Sequence, residues 1–318
     1  MTSGLTFGEV SSADLWNDLN RHAPAGNVFL RWDLLQALPV RAVCHGCFEE
    51  GRLIAGCPFF YNRDDGSPEG INPFMMYQGL IIRDAESGTH HHAITRNFEI
   101  LTEFLPYLAG FRPVAGMQSW RHRDMRPFLW HNYHAPEKGM FVVKPKYTAV
   151  IDLTEYASFG DYVASTRSIR QRELKKARAI RIKNSADVQA LVTLHDLTYG
   201  RQGKDVADPL DFRRAVVTDA LEKGYGALWE ANTEAGERVS MIFTLADEQS
   251  AYYLFGANHP DYRSTGGSTK LMFACIEQAM EQGLAAFDFC GVNSPNRGDY
   301  KISFNAQLKE YCTFRLDG

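Results

Sequence analysis

Residues 250–304 read SAYYLFGANHPDYRSTGGSTKLMFACIEQAMEQGLAAFDFCGVNSPNRGDYKISF, and the order of apolar and turn-forming residues in them decides the fold. Tyr252, Tyr253, Leu254 and Phe255 form a short apolar run closed by Gly256, as a buried strand requires. The turn Asn258-His259-Pro260-Asp261 follows, then Arg263-Ser264-Thr265-Gly266-Gly267-Ser268. Leu271, Met272, Cys275 and Ala279 recur at helical spacing, and Gly283 stops that helix. A short strand then carries Asp288, and a polar loop carries Lys301. The first turn of a helix has unpaired N–H groups and a partial positive charge, so it suits an anion. Glycine there lets a phosphate reach the backbone with no Cβ in the way. A connection of this composition also serves merely to start a helix, and the residues alone leave both readings open.

Working outward, Arg263-x-x-Gly266-x-Ser268 is similar to the R/Q-x-x-G-x-G/A turn with which GNAT N-acyltransferases grip the pyrophosphate of acyl-coenzyme A. Ser268 stands where that pattern prefers Gly or Ala. The string Phe287-Asp288-Phe289-x-Gly291, followed by Tyr300-Lys301-x-x-Phe304, resembles the Fem branch of the same superfamily. So does Lys146-Tyr147-Thr148-x-x-Ile151-Asp152-Leu153, with Arg167 and Arg170 behind it. The resemblance spans most of the chain and is specific after about residue 146. It implies an α/β (α+β) chain of two tandem GNAT-like domains, each a mixed central sheet flanked by helices. Residues 1–145 form the first, without a donor site, and 146–318 the second, with one. It further implies amide formation, with an amino acid passing from aminoacyl-tRNA to an amine of a cell-wall precursor, sugar or secondary metabolite. Acyl-coenzyme A-dependent N-acylation and a catalytically silent binding module are the alternatives. The acceptor is then a small-molecule or peptide amine, and no cofactor is tightly bound.

Composition agrees with that architecture. A chain of 318 residues suits about two domains, and 45% apolar residues supply full cores. The N-terminal MTSGLTFGEVSSADLWNDLN has neither a basic nor an apolar signal region, and no apolar run approaches the ~20 residues of a membrane span. Six cysteines beside no export signal fit thiols in a reducing cytoplasm. The net charge of −4 argues against binding to DNA, while leaving room for a local patch that meets a tRNA end.

Along the first half, residues 12–38 read as two short helices and 40–61 as a hairpin turning at Glu49-Glu50-Gly51-Arg52. Tyr77–Ile82 reads as a strand, Ile94–Leu108 as an amphipathic helix, and Val114–Trp120 and Thr148–Leu153 as strands. Cys44-His45-Gly46-Cys47 lies in an alternating strand pattern, which favours packing over a metal site with about four ligands. His90-His91-His92 reads as a polar surface turn. In the second half, strands are expected at 225–231 and 238–245.

Four groups of residues are candidates for chemistry. A basic helix carries Arg167, Arg170, Arg172, Lys175, Lys176, Arg178, Arg181 and Lys183 against one acid, Glu173. It reads as a phosphate-contacting face or as a solvated one. Asp288 is placed to accept the proton of an attacking amine, or to cap the loop after its strand. An oxyanion needs a donor, supplied by Lys301 or by a backbone N–H at Phe255–Ala257, with Tyr252 and Tyr253 as further donors. The Fem resemblance favours Lys301 and sets Tyr300 beside the donor adenosine or the acceptor; the plain alternative for Lys301 is a surface lysine. Phe255, Gly256, Arg263, Gly266, Gly267 and Ser268 complete the expected donor site. Trp120, Arg126 and the surrounding His, Arg and aromatic residues read as an acceptor groove, or as an irregular link between strands.

Overall fold

The computed structural model describes residues 4–72, 74–84, 89–200 and 210–317. Two units organise them: Met1–Lys146 with Glu310–Gly318, and Tyr147–Lys309. The sequence boundary left residues 310–318 in the second half; the structure puts them in the first. Their strand pairs back onto the first unit.

The first unit is built from β1 (Leu5–Val10), α1 (Ala13–His22), α2 (Trp32–Ala37), β2 (Arg41–Glu49), β3 (Arg52–Tyr61), β4 (Ile81–Ile82), α3 (His90–Leu108), β5 (Val114–Gln118) and α4 (Arg126–Trp130). Strands β1 to β4 lie in chain order, every pair antiparallel. The β2–β3 hairpin turns where expected, with Glu50 and Gly51 both at positive φ, the geometry a two-residue connection demands. Ser12 caps α1 by accepting from the Leu15 N–H, and the helix buries Trp16 and Leu19. Helix α3 buries Ile100, Leu101, Phe104, Leu105 and Leu108 in a core with Cys57, Phe59, Phe128 and Phe314. Each such fully buried side chain stabilises the unit by about 1.5–3 kcal/mol.

Three elements here differ from the sequence reading. Strand β1 was not read at all. The strand expected from Tyr77 shrinks to Ile81–Ile82, because Tyr77 sits at φ 56° and breaks the extended chain. His90–His92 form the first turn of α3.

The second unit takes β6 (Val142–Asp152) from Tyr147 onward, then α5 (Phe159–Ser165), α6 (Ser168–Lys176), β7 (Arg181–Ser185), α7 (Val188–Gly200), α8 (Leu210–Glu222), β8 (Gly226–Asn232), β9 (Arg238–Ala246), β10 (Ser250–Asn258), α9 (Gly267–Glu281), β11 (Ala286–Asp288) and α10 (Pro295–Ile302). Strand β12 (Gln307–Leu316) begins in this unit and pairs antiparallel with β5 through Cys312–Leu316. Within the unit, β6 pairs antiparallel with β11, and β11 runs parallel to β10. Strands β9, β8 and β7 follow antiparallel. The sheet is therefore mixed, with a parallel pair at the crossover through α9. Leu271, Met272, Cys275 and Ala279 are all buried on that sheet, as their spacing requires.

Two expectations are corrected in this unit. Lys301 lies in a helix rather than a loop, for Pro295 occupies the first turn of α10, where its missing N–H costs nothing. The single basic helix is really α6, a 3₁₀ turn at Ala177–Ala179, and β7. Pairing with β8 draws residues 181–185 into the sheet. Among the described residues no helix is long and apolar enough to cross a membrane.

Candidate active site

Strands β10 and β11 pair only through Ser250–Tyr252 and Ala286–Asp288. Just beyond, a bulge between Tyr253 and Phe255 shifts the register of β10 against β9. Past this point β10 has no ladder partner in β11, and the backbone of Phe255–Ala257 borders the gap. The bulge also decides which side chains face it. Phe255 is buried against Phe243 and His195, so its side chain packs the core and its backbone alone borders the gap. Tyr253 turns the other way: its ring stacks edge-on to Phe289, and its hydroxyl covers the Cα of Gly256. Tyr252 is buried, its hydroxyl donating to Asp247 Oδ2 at 2.8 Å.

A buried hydrogen-bond network fixes the loop after β11. Asp288 is only 1% exposed; its Oδ1 accepts from Thr148 Oγ1 at 2.6 Å and from the Cys290 N–H at 2.8 Å. Thr148 Oγ1 in turn accepts from the Gly291 N–H at 2.9 Å. The Lys301 ammonium donates to the carbonyls of Phe289 and Gly291 at 2.6 and 2.7 Å. Cys290 and Gly291 have φ of 53° and 97°, and these bonds hold that left-handed turn in place. The geometry of Asp288 is thus that of the loop cap, and Lys301 is no free surface lysine. It reaches across the loop, its Nζ 5.3 Å from the centroid of the Tyr253 ring.

The start of α9 is arranged differently from an open phosphate turn. Gly266 takes φ 77°, which only glycine adopts without strain, and a Cβ there would lie 2.6 Å from the Glu173 carbonyl oxygen. Helix α6 therefore lies directly on this turn. Its buried Arg170 donates from Nη1 to Thr269 Oγ1 at 3.1 Å and pairs with Glu173 Oε2 at 2.8 Å. Thr269 Oγ1 donates to the same Glu173 oxygen at 2.5 Å. The Gly267 N–H is occupied by Thr265 Oγ1 at 3.2 Å. A protein carboxylate thus already sits at the positive end of the α9 dipole.

Tyr300, expected at the adenosine or acceptor, packs instead between Arg170, whose guanidinium lies 4.8 Å from its ring centroid, and Phe304. Burial pushes its phenol up to about 12, against the opposing influence of the Thr269 side chain, Arg170 and the Ser268 side chain.

The exposed cations lie on the outer side of these elements. Arg167 pairs with Asp299 at 2.7 Å, while Arg172, Lys175, Lys176 and Arg178 face solvent along α6 and its 3₁₀ continuation. Arg263 is exposed at the turn itself. In the first unit, Trp120 stacks with the Arg121 guanidinium at 4.9 Å. Arg126 is forked onto Asp124, through Nε at 2.8 Å and Nη2 at 2.6 Å.

With this geometry in place, comparison with known proteins becomes specific. Residues 164–301 match the family model described as acetyltransferase (GNAT) domain. The chain carries a GNAT domain in a Fem-like fold. The crystal structure of FemX aligns with a TM-score of 0.70 over 96% of each chain, at 11% identity. A tandem GNAT protein from the clavulanic acid biosynthesis pathway gives 0.55 over 98% of each chain, at 13% identity. L-PGS from Bacillus licheniformis gives 0.54 over 96% of this chain and 92% of its own, also at 13% identity. No curated protein sequence matches. At such identities the structural likeness is one of fold, and the GNAT domain makes the protein an acyltransferase.

Within this GNAT unit, the two strings that resembled the Fem branch meet in space through Thr148, Asp288, Gly291 and Lys301. Sequence reasoning missed the parts played by Thr148, Thr269 and Glu173. A signal existed for Glu173, the one acid in a basic interval. A lone carboxylate among cations is often there for a particular partner, here Arg170 and Thr269.

Proposed function

We propose that this acyltransferase takes an amino acid from aminoacyl-tRNA and joins it to a primary amine as an amide. One observation carries the reading: α6 closes the phosphate turn with its buried face and presents cations on its exposed face. Coenzyme A binding would require its pyrophosphate to approach a turn where Thr265 Oγ1 already takes the Gly267 N–H, the Glu173 carboxylate bonds Thr269, and the α6 backbone lies against Gly266. A tRNA end makes no such demand on the turn, and the outward cations of α6 suit its phosphates. The exposed Arg263 and the left-handed Gly266 are the features that favour acyl-coenzyme A instead.

In this reading the ester carbonyl of the donor lies at the gap where β10 and β11 part. A backbone N–H of Gly256 or Ala257, with the Tyr253 hydroxyl, holds the oxyanion as the amine attacks. Lys301 acts as a positioning residue that keeps the Phe289–Gly291 loop on the far side of the gap. Asp288 and Thr148 serve the same loop. The acyl C–O bond then breaks to release the tRNA ribose oxygen, and water carries the amine proton to it, because Asp288 is too deeply buried to touch the acceptor. The acceptor is an amine of a small molecule or peptide, and the free state of all six cysteines fits a reducing compartment.

Thermal unfolding with millimolar coenzyme A or acetyl-coenzyme A tests the donor assignment, since a ligand that binds the native state raises Tm by linkage. No shift with either compound, together with retarded exchange of a charged tRNA held by the protein, is the expected result. A clear rise with coenzyme A and no retention of charged tRNA would replace this donor with acyl-coenzyme A.

A further inference from the structure

Acyl transfer in the second unit leaves unused a cleft in the first, between α3 and α4. His91, Ile94, Thr95 and Phe98 line it from α3, and Arg126 and Trp130 from α4, around about 310 Å³. That lies at the small end of ligand pockets, roughly 300–1,000 Å³, and gives room for one ring with its substituents. Trp130 is 52% exposed, and its ring meets Phe98 edge-on at 5.5 Å. The two rings therefore form a corner with an indole face half in water. An indole half in water beside a second ring offers a flat apolar face on which a ligand ring can lie.

The polar groups at this corner limit what that is. Arg126 lies over both rings, 5.4 Å from the Phe98 centroid and 5.7 Å from that of Trp130. It is held there by its two-pronged bond to Asp124. The positive and negative charges are already paired with each other. A phosphate or carboxylate ligand competes with Asp124 for Arg126, and an ammonium ligand competes with Arg126 for Asp124. A neutral ligand faces neither competition. The Thr95 hydroxyl, the His91 imidazole and the Asp124–Arg126 fork offer donors and acceptors around the apolar corner. The complement is a molecule with a flat C–H face and a belt of groups that both donate and accept.

We propose that the α3–α4 cleft binds the pyranose ring of an uncharged sugar, its C–H face on Trp130 and its hydroxyls on Thr95, His91 and the Asp124–Arg126 fork. The site lies wholly within the first unit and is independent of the donor assignment.

Saturation-transfer NMR on the full chain tests this with methyl glucopyranoside and N-acetylglucosamine, beside glucuronate and glucosamine as charged counterparts. Saturable transfer to the ring C–H protons of the neutral sugars is expected, with affinity at least ~10-fold weaker in Trp130→Ala. Leu129→Ala, an exposed neighbour outside the lining, leaves it unchanged. Absent transfer, equal transfer in Trp130→Ala, or preference for a charged sugar would each overturn the assignment. So would a Trp130-dependent dimer in sedimentation without any sugar signal, which would make the corner a self-association surface. No acyl donor or turnover enters the titration, so its failure leaves the transferase reading standing, and the converse holds too.

Discussion

Tyr253 and Lys301 face the same gap but make separable demands on the protein. Tyr253→Phe removes one hydroxyl and leaves the bonds of Lys301, Asp288 and Thr148 to the loop in place. Turnover is expected to fall by at least ~10-fold, about 1.4 kcal/mol in the barrier, with Tm lowered less than by loss of the lysine. Lys301→Met deprives two carbonyls of their donor. It is expected to lower turnover by at least ~10-fold and Tm as well, because buried acceptors without partners each cost about 1–3 kcal/mol. Paired kinetics and thermal unfolding on the two variants check this; a Lys301→Met protein of native stability and activity would remove it from the loop. At this scale the sequence was partly legible. Residue type suggested Asp288 and the Fem resemblance Lys301, yet neither indicated the loop bonds these residues make. Thr148 lies 140 positions from Asp288, and no local pattern joins them. The bulge that shifts β10 between Tyr253 and Phe255 was not legible either, because a bulge leaves little trace in composition.

Helix α6 shows the same limit one level up. The run of cations was plain in the sequence, but their division among a helix, a 3₁₀ turn and a strand was set by tertiary pairing with β8. The buried face of α6 also depends on a neighbour, since Arg170 and Glu173 have meaning only against Thr269 and Tyr300. The exposed face supports a simple expectation. In the double variant Lys175→Gln/Lys176→Gln, charged-tRNA binding weakens similarly for all tRNA sequences. The slope of log affinity against log salt also falls by roughly two, about one for each phosphate no longer neutralised. A fluorescence titration at several salt concentrations reads both quantities. An unchanged slope would move the tRNA path away from α6.

For the whole molecule, buried thiols set the alkaline limit of stability. Burial pushes Cys57 up to about 12 from an ordinary 9.0, and Cys47 likewise to about 12, with help from nearby Glu103 and Glu49. The unfolded chain releases these protons first as pH rises. Stability is therefore whole below about pH 9 and is lost on approaching about pH 12, at about 1.4 kcal/mol per pH unit for each thiol. Urea unfolding between pH 8 and 11 is expected to show this decline, with a shallower slope in Cys57→Ala. A profile flat to pH 11 would contradict it. The fold was more legible than the site. Helical spacing and the glycine turn placed the β10–α9–β11 crossover correctly. By contrast, the return of residues 310–318 to the first unit rests on pairing with a strand nearly 200 positions earlier, Cys312 opposite Gln118.

The most direct measurement is single-turnover discharge of radiolabelled aminoacyl-tRNA in the presence of the protein and a panel of amino sugars and diamines, beside the same panel with labelled acetyl-coenzyme A. Protein-dependent passage of the aminoacyl label into a base-stable amide, lost in Tyr253→Phe and absent with acetyl-coenzyme A, is the expected result. Amide formed from acetyl-coenzyme A, with charged tRNA discharged no faster than in buffer, would contradict aminoacyl-tRNA as the donor.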